Sequence, residues 1–137
     1  MEQGELALLY GPEPEGLQQI QAVLAELEMV CRRVLCGELG QPVGALAGMD
    51  APSKDVPAME PFPCCAMVFC GLTEQRLREA LSRLNEKGAG KDCLKAVLTP
   101  NNRDWRFYDL LHELFREREA FLQARRAQSR RKPDEKQ

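Results

Sequence analysis

Two stretches of this chain are apolar without interruption: Leu6 to Tyr10, stopped by Gly11-Pro12, and Cys64 to Cys70, stopped by Gly71. A strand with one wet face alternates polar and apolar residues. An unbroken run of ~4–8 residues instead suggests a strand covered on both faces, as in the middle of a helix-clad sheet.

Each run leads through a turn into helical spacing. After the first, Leu17, Ile20, Val23, Leu24 and Leu27 recur at helical intervals, with Pro14 and Glu15 suited to a first turn, so a helix is expected over 14–29. After the second, Leu77, Ala80, Leu81 and Leu84 make the buried stripe. Thr73 is the expected N-cap, Glu74 suits the helix dipole, and Gly88 and Gly90 end the helix. A more polar strand follows each helix, at Val30–Cys36 and at Leu94–Leu98. Arg32 and Arg33 point to opposite faces, which suits an edge.

Gln41–Gly48 reads as one or two short helical turns. Pro52, Pro57, Pro61 and Pro63 exclude regular structure from 49–63, which is expected to be a mobile loop. The Thr99-Pro-Asn-Asn turn is expected to open a long final helix that carries the only Trp and the only His, Trp105 and His112. Its expected inner face is Trp105, Leu110, Leu111, Leu114, Phe115, Phe121 and Leu122. From Arg125 nothing remains to bury, so 125–137 is expected to be a disordered basic tail.

Strands alternating with helices predict an α/β domain over 1–124: three layers around a four-stranded, mainly parallel sheet of order 2-1-3-4, with a long C-terminal helix. The alternative is a ferredoxin-like βαββαβ sheet plus the terminal helix. The length of 137 residues suits one domain. No apolar run reaches the ~20 residues that span a bilayer, and the N-terminus does not read as a signal peptide. A cytoplasmic protein is expected, with its six cysteines reduced rather than forming a disulfide framework. From Arg116 onward eight Lys/Arg face four Asp/Glu, so the net charge of −2 splits into +4 there and −6 elsewhere. An acidic body with a basic tail argues against a dedicated nucleic-acid binder.

At KAVLTPNNRDW, followed by LLHELFRERE, the chain resembles the domain of unknown function 3783 family of small bacterial proteins. QPVGALAG and the apolar strand leading into GLTEQRLREAL are similar to it as well. The resemblance runs from Leu6 to Glu119, and Thr99, Pro100, Asn102 and Trp105 are its most specific part. It implies a stand-alone domain and no mechanism.

Chemical motifs are sparse. Cys31/Cys36 and Cys65/Cys70 share a spacing, but residues five apart on a strand face opposite ways, so neither pair makes a local metal site. No metal or cofactor is implied. Gly11-Pro-Glu-Pro-Glu-Gly16 is not a phosphate loop, and its carboxylates would repel an anion. The turn Thr99–Trp105 gathers polar side chains at a strand end. In a parallel sheet it would join the loops at Gly11 and Gly71 on one crest. The structural alternative has Asn101 or Asn102 capping the long helix and Trp105 packed on the sheet. The resulting expectation is a non-enzymatic domain that binds a partner protein or small ligand at a crest of Tyr10, Gly11, Gly71, Thr73, Thr99, Asn101, Asn102 and Trp105. An enzyme working at the same crest through Cys70 or Cys36 is the second reading. Homo-oligomerisation through Val30–Cys36 or the final helix is the third.

Overall fold

In a computed structural model, which describes residues 4–135, the chain forms strands β1 (Leu6–Tyr10), β2 (Val30–Arg33), β3 (Ala66–Cys70) and β4 (Leu94–Val97). Its helices are α1 (Pro14–Glu26), α2 (Val43–Leu46), α3 (Glu74–Lys87) and α4 (Phe107–Glu135), with one 3-10 turn at Cys36–Glu38. The sheet order is β2-β1-β3-β4, with the two unbroken apolar runs in the middle. β3 is buried along its whole length and β1 at four of its five residues, whereas β2 has no buried residue and forms one edge. Among the described residues no helix is long and apolar enough to cross a membrane.

Two of the three strand pairs are parallel, β1 with β2 and β3 with β4, as a mainly parallel sheet requires. The central pair is antiparallel, with Leu8 opposite Val68 and Tyr10 opposite Ala66. The connection from β2 to β3 therefore starts and finishes at the same end of the sheet, and no third crossover is needed. A ferredoxin-like sheet splits its βαβ units with an intervening strand. Here β1 and β2 are neighbours, which excludes that alternative.

Successive strand residues face opposite sides, so the sheet divides the core in two. Ala7, Leu9, Met67 and Phe69 meet Leu17, Ile20 and Leu24 of α1 and Ala80 and Leu84 of α3. Leu8, Tyr10, Val68 and Cys70 meet Val43 and Leu46 of α2 and Phe107, Leu110 and Leu111 of α4.

The two βαβα halves repeat one another closely. Helix α1 ends with Glu28 at φ 58° and α3 with Gly88 at φ 66°. In each, the next amide returns to the same carbonyl, Met29 N to Leu24 O and Ala89 N to Leu84 O. Past each edge strand the pattern continues. Glu38 Oε1 accepts the Leu35 amide at 3.0 Å, and Asn102 Oδ1 accepts the Thr99 amide at 2.9 Å. An isolated bridge then joins Pro42 to Arg106, one from each half, nine positions after Arg33 and nine after Val97.

Residues 49–63 form no helix or strand, in keeping with their prolines. Several contacts fasten the loop. The Gln41 side chain donates to Ser53 O (3.1 Å) and accepts from Ser53 N (2.8 Å). Val56 and Pro57 lie so close over Gly40 that a Cβ there would come within 2.6 Å of Val56. Phe62 is buried, edge-on to Tyr108 and Phe115.

Four expectations are corrected. Cys65 and Cys93 are joined as a disulfide rather than left reduced; both residues directly precede the paired Ala66 and Leu94, so the strand register brings them together. Helix α4 begins at Phe107, not beside Asn102, and fully buried Phe107 heads its inner face. Trp105 and Phe121, assigned to that face, are 38% and 62% exposed. The helix also continues from Arg125 to Glu135, where no structure was expected. Ala, Gln and Arg in that run favour helix without needing burial.

Candidate functional site

The turn between β4 and α4 is built on Asn102. Its amide oxygen accepts from Thr99 N, its amide nitrogen donates to Val97 O at 3.1 Å, and its own backbone N–H donates to Thr99 Oγ1 at 3.1 Å. With only 9% of its surface exposed, it is the one buried polar side chain of the core among the described residues. Asn102 thus closes a turn on the strand end. It does not cap α4.

The first amides of α4 find partners elsewhere. Phe107 N donates to Gln41 O (2.8 Å) and Tyr108 N to Leu39 O (2.9 Å). In return Val43 N donates to Trp105 O and Gly44 N to Arg103 O, both at 2.9 Å. Each helix start is therefore satisfied by carbonyls of the turn preceding the other, which meets the need for partners at an N-terminus without a capping side chain. This exchange holds 99–106 rigidly against α2. Space at Gly44 is correspondingly tight: a Cβ there would meet Asp50 Oδ2 and lie 2.7 Å from Arg103 Cγ.

Across the same seam Arg103 donates from Nε to Asp50 Oδ2 at 2.8 Å and from Nη2 to Asp50 Oδ1. The hydrogen bond from Arg103 holds the Asp50 carboxyl below its ordinary pKa. The pair is more than a third exposed, so its geometry fixes the loop more than it stabilises the fold.

Two clefts flank the turn and share Asp104. One, of about 530 Å³, lies at the ends of β3 and β4 and is lined by Asp50, Gly71, Thr99, Pro100 and Arg103. The other, of about 640 Å³, runs along the start of α4 past Trp105, Arg106, Asp109, His112 and Glu113. The His112 ring stacks on Tyr108, with centroids 6.4 Å apart.

The structure brings only part of the expected crest together. Gly71 and Thr99 line one cleft and Trp105 the other, while Asn101 is an exposed position of the turn itself. Thr73 caps α3 through its side chain, accepting from Arg76 N at 3.2 Å. Tyr10 and Gly11 lie at the opposite end of the sheet, because β1 runs antiparallel to β3. The Tyr10 hydroxyl donates to Phe62 O and accepts from Phe62 N, both at 2.9 Å, and burial pushes its pKa up. That role is structural. Arg103 and Asp104 lie within the expected turn without having been singled out, and Asp50 was missed. Asp50 sits in the proline-rich loop, 53 positions from its partner, and no local motif announces such a pair.

Cys70 is fully buried, and burial pushes its thiol up to about 12, which removes it as a ready nucleophile. Cys36 is exposed, but at the other end of the sheet. Among the described residues no three His, Cys, Asp or Glu side chains are grouped to hold a metal.

The fold and this turn define a small α/β domain whose polar seam lies between two helix starts. Residues 66–121 match the family model "Domain of unknown function (DUF3783)". The matched stretch spans β3, α3, β4 and the packed part of α4. It includes the whole Thr99–Trp105 turn but stops short of the first half, to which the resemblance in sequence also extended. No curated protein and no solved structure matches the chain.

Proposed function

We propose that this is a non-enzymatic, cytoplasmic binding domain, whose partner is a protein that docks on the Thr99–Trp105 turn and its two flanking clefts. One observation carries the reading. Trp105, the only tryptophan, stands 38% exposed on a turn whose backbone is held from both sides. A large aromatic presented on a pre-organised backbone loses little entropy on binding and is the commonest kind of interface anchor. The neighbouring Arg103–Asp50 pair and Asp104 supply a polar rim. Four free cysteines support the cytoplasmic placement.

The test is affinity capture from source-cell lysate with three baits: the wild type, Trp105→Ala and Asn102→Ala. Capture is run cold, where circular dichroism shows every bait folded. A protein held by the wild type and released by Trp105→Ala is the expected result. If Trp105→Ala retains everything the wild type retains, the turn is only a joint of the fold and the proposal fails.

A further inference from the structure

At the other end of the sheet from that turn, we propose that Cys65 and Cys93 form a redox-active pair that undergoes thiol–disulfide exchange with low-molecular-weight thiols. Three observations converge there. The two cysteines stand side by side at the start of neighbouring parallel strands, with Cα atoms 4.6 Å apart and Leu94 N donating to Cys65 O at 2.8 Å, so both redox forms share one backbone. A cleft of about 560 Å³ between α1 and the turn before β4 is lined by both residues and gives an incoming thiol access to the half-buried Cys65. The turn itself is held without the disulfide: Lys95 Nζ donates to Gly90 O (2.8 Å), and Arg118 Nη1 donates to Asp92 O (2.8 Å). The β3–β4 ladder and the packing of α1 and α3 on that face do not run through the bond. In a compartment that keeps thiols reduced, a disulfide that the fold can do without is a transient or sensing one rather than a staple.

The exchange balances as an ordinary two-step displacement. A thiolate attacks Cys65 Sγ, the Cys65–Cys93 bond breaks, and the electron pair leaves on Cys93 Sγ, which takes a proton from solvent. A second thiolate attacks the external sulfur of the mixed disulfide and releases Cys65 as a thiolate. Two thiols become one small disulfide, the protein pair gains two electrons, and the reverse sequence oxidises it. Cys64 takes no part. It lines the same cleft but is not one of the bonded pair, packs against the core on the other face of the sheet, and has its Sγ engaged by Arg118 Nη2 at 3.6 Å.

The full chain is equilibrated in buffers of graded reduced-to-oxidised glutathione, quenched by alkylation, and weighed intact. The expected result is a reversible two-thiol transition in folded protein, unchanged in Cys64→Ser and lost in Cys93→Ser. A pair that stays oxidised in every buffer until denaturant is added would be a structural staple, and one that stays reduced throughout would be no pair. Either outcome overturns the proposal, as does loss of the transition in Cys64→Ser. If Cys93→Ser fails to fold, the wild-type and Cys64→Ser titrations still decide it.

Discussion

Replacing Asn102 with Ala removes two side-chain hydrogen bonds from the joint between β4 and α4, to Thr99 N and to Val97 O. Each is worth about 1 kcal/mol net. Thr99 and Val97 are exposed, so water can reach the groups left behind, and the total stays near ~2 kcal/mol rather than the larger cost of stranding buried partners. With an unfolding entropy of ~2.1 cal/mol/K per residue, a chain of this length loses roughly 3.5 °C of melting temperature per kcal/mol, so the expected fall is about 7 °C. Asn102→Asp keeps the acceptor and loses the donor, and should fall about half as far. The counterpart in the first half offers an internal control. Glu38→Ala removes the same kind of bond to Leu35 N together with an ion pair to Arg32, but from a side chain 29% exposed on an edge turn, so its effect should stay at about 1 kcal/mol, below that of Asn102→Ala. Thermal unfolding by circular dichroism gives the ranking, and hydrogen exchange at the Thr99 amide reports the bond itself. If Asn102→Ala melts within about 2 °C of wild type, or no lower than Glu38→Ala, then the backbone exchange between the two helix starts holds the turn alone. The structural role assigned to Asn102 would be refuted.

Tyr10→Phe should cost about 2–3 kcal/mol, because it strands the buried amide and carbonyl of Phe62. Faster hydrogen exchange at Phe62 N with a lower melting temperature would bear this out, and an unchanged melting temperature would contradict it. In the Asp50–Arg103 pair the folded carboxyl titrates below its free value, held there by the Arg103 hydrogen bond. The stabilisation from this pair is therefore complete above the free aspartate range and is lost as pH falls through the depressed folded pKa. Arg103→Ala should raise the Asp50 midpoint seen by carboxyl NMR and remove its share of the acid limb of stability; an unmoved midpoint would show that Arg103 is not the cause.

The sheet order could be read from Leu6–Tyr10 and Cys64–Cys70 because continuous apolarity marks strands with two covered faces. Their relative direction could not be read. A central strand buried under helices has the same pattern whether its neighbour runs with it or against it, and residues 34–65 carry no sign of which end they return to. That gap is why Tyr10 and Gly11 were placed beside Gly71 and Thr99. The helix start at Phe107 was hidden for a different reason. Its amides are taken by Leu39 O and Gln41 O, and backbone carbonyls leave no signature in side-chain identity, whereas Thr73 and Gly88 cap α3 in ways that residue type reveals. The Cys65–Cys93 pairing depends on strand register, which a spacing of 28 does not encode.

The two halves meet along a local two-fold arrangement that bears on how the site arose. Leu8 faces Val68 at the centre of the β1–β3 ladder, and on the α2–α4 face Pro42 faces Arg106. The four reciprocal bonds around that bridge pair Val43 with Trp105 and Phe107 with Gln41, then Gly44 with Arg103 and Tyr108 with Leu39. The family match covers the second βαβα unit, residues 66–121, and the first unit has the same layout with different side chains at corresponding places. Where the second half has Asn102 and Trp105, the first has Glu38 and Gln41, and its helix α2 stops after four residues. The shared backbone bonds are what both halves need in order to close the joint. Glu38 and Asn102 still make the corresponding bond, to the amide three residues before each, so the difference that the joint does not need falls on Gln41 and Trp105. Trp105 is also the large exposed side chain that sets the second half apart from the first at this bridge, and it is the one that the proposed docking would use.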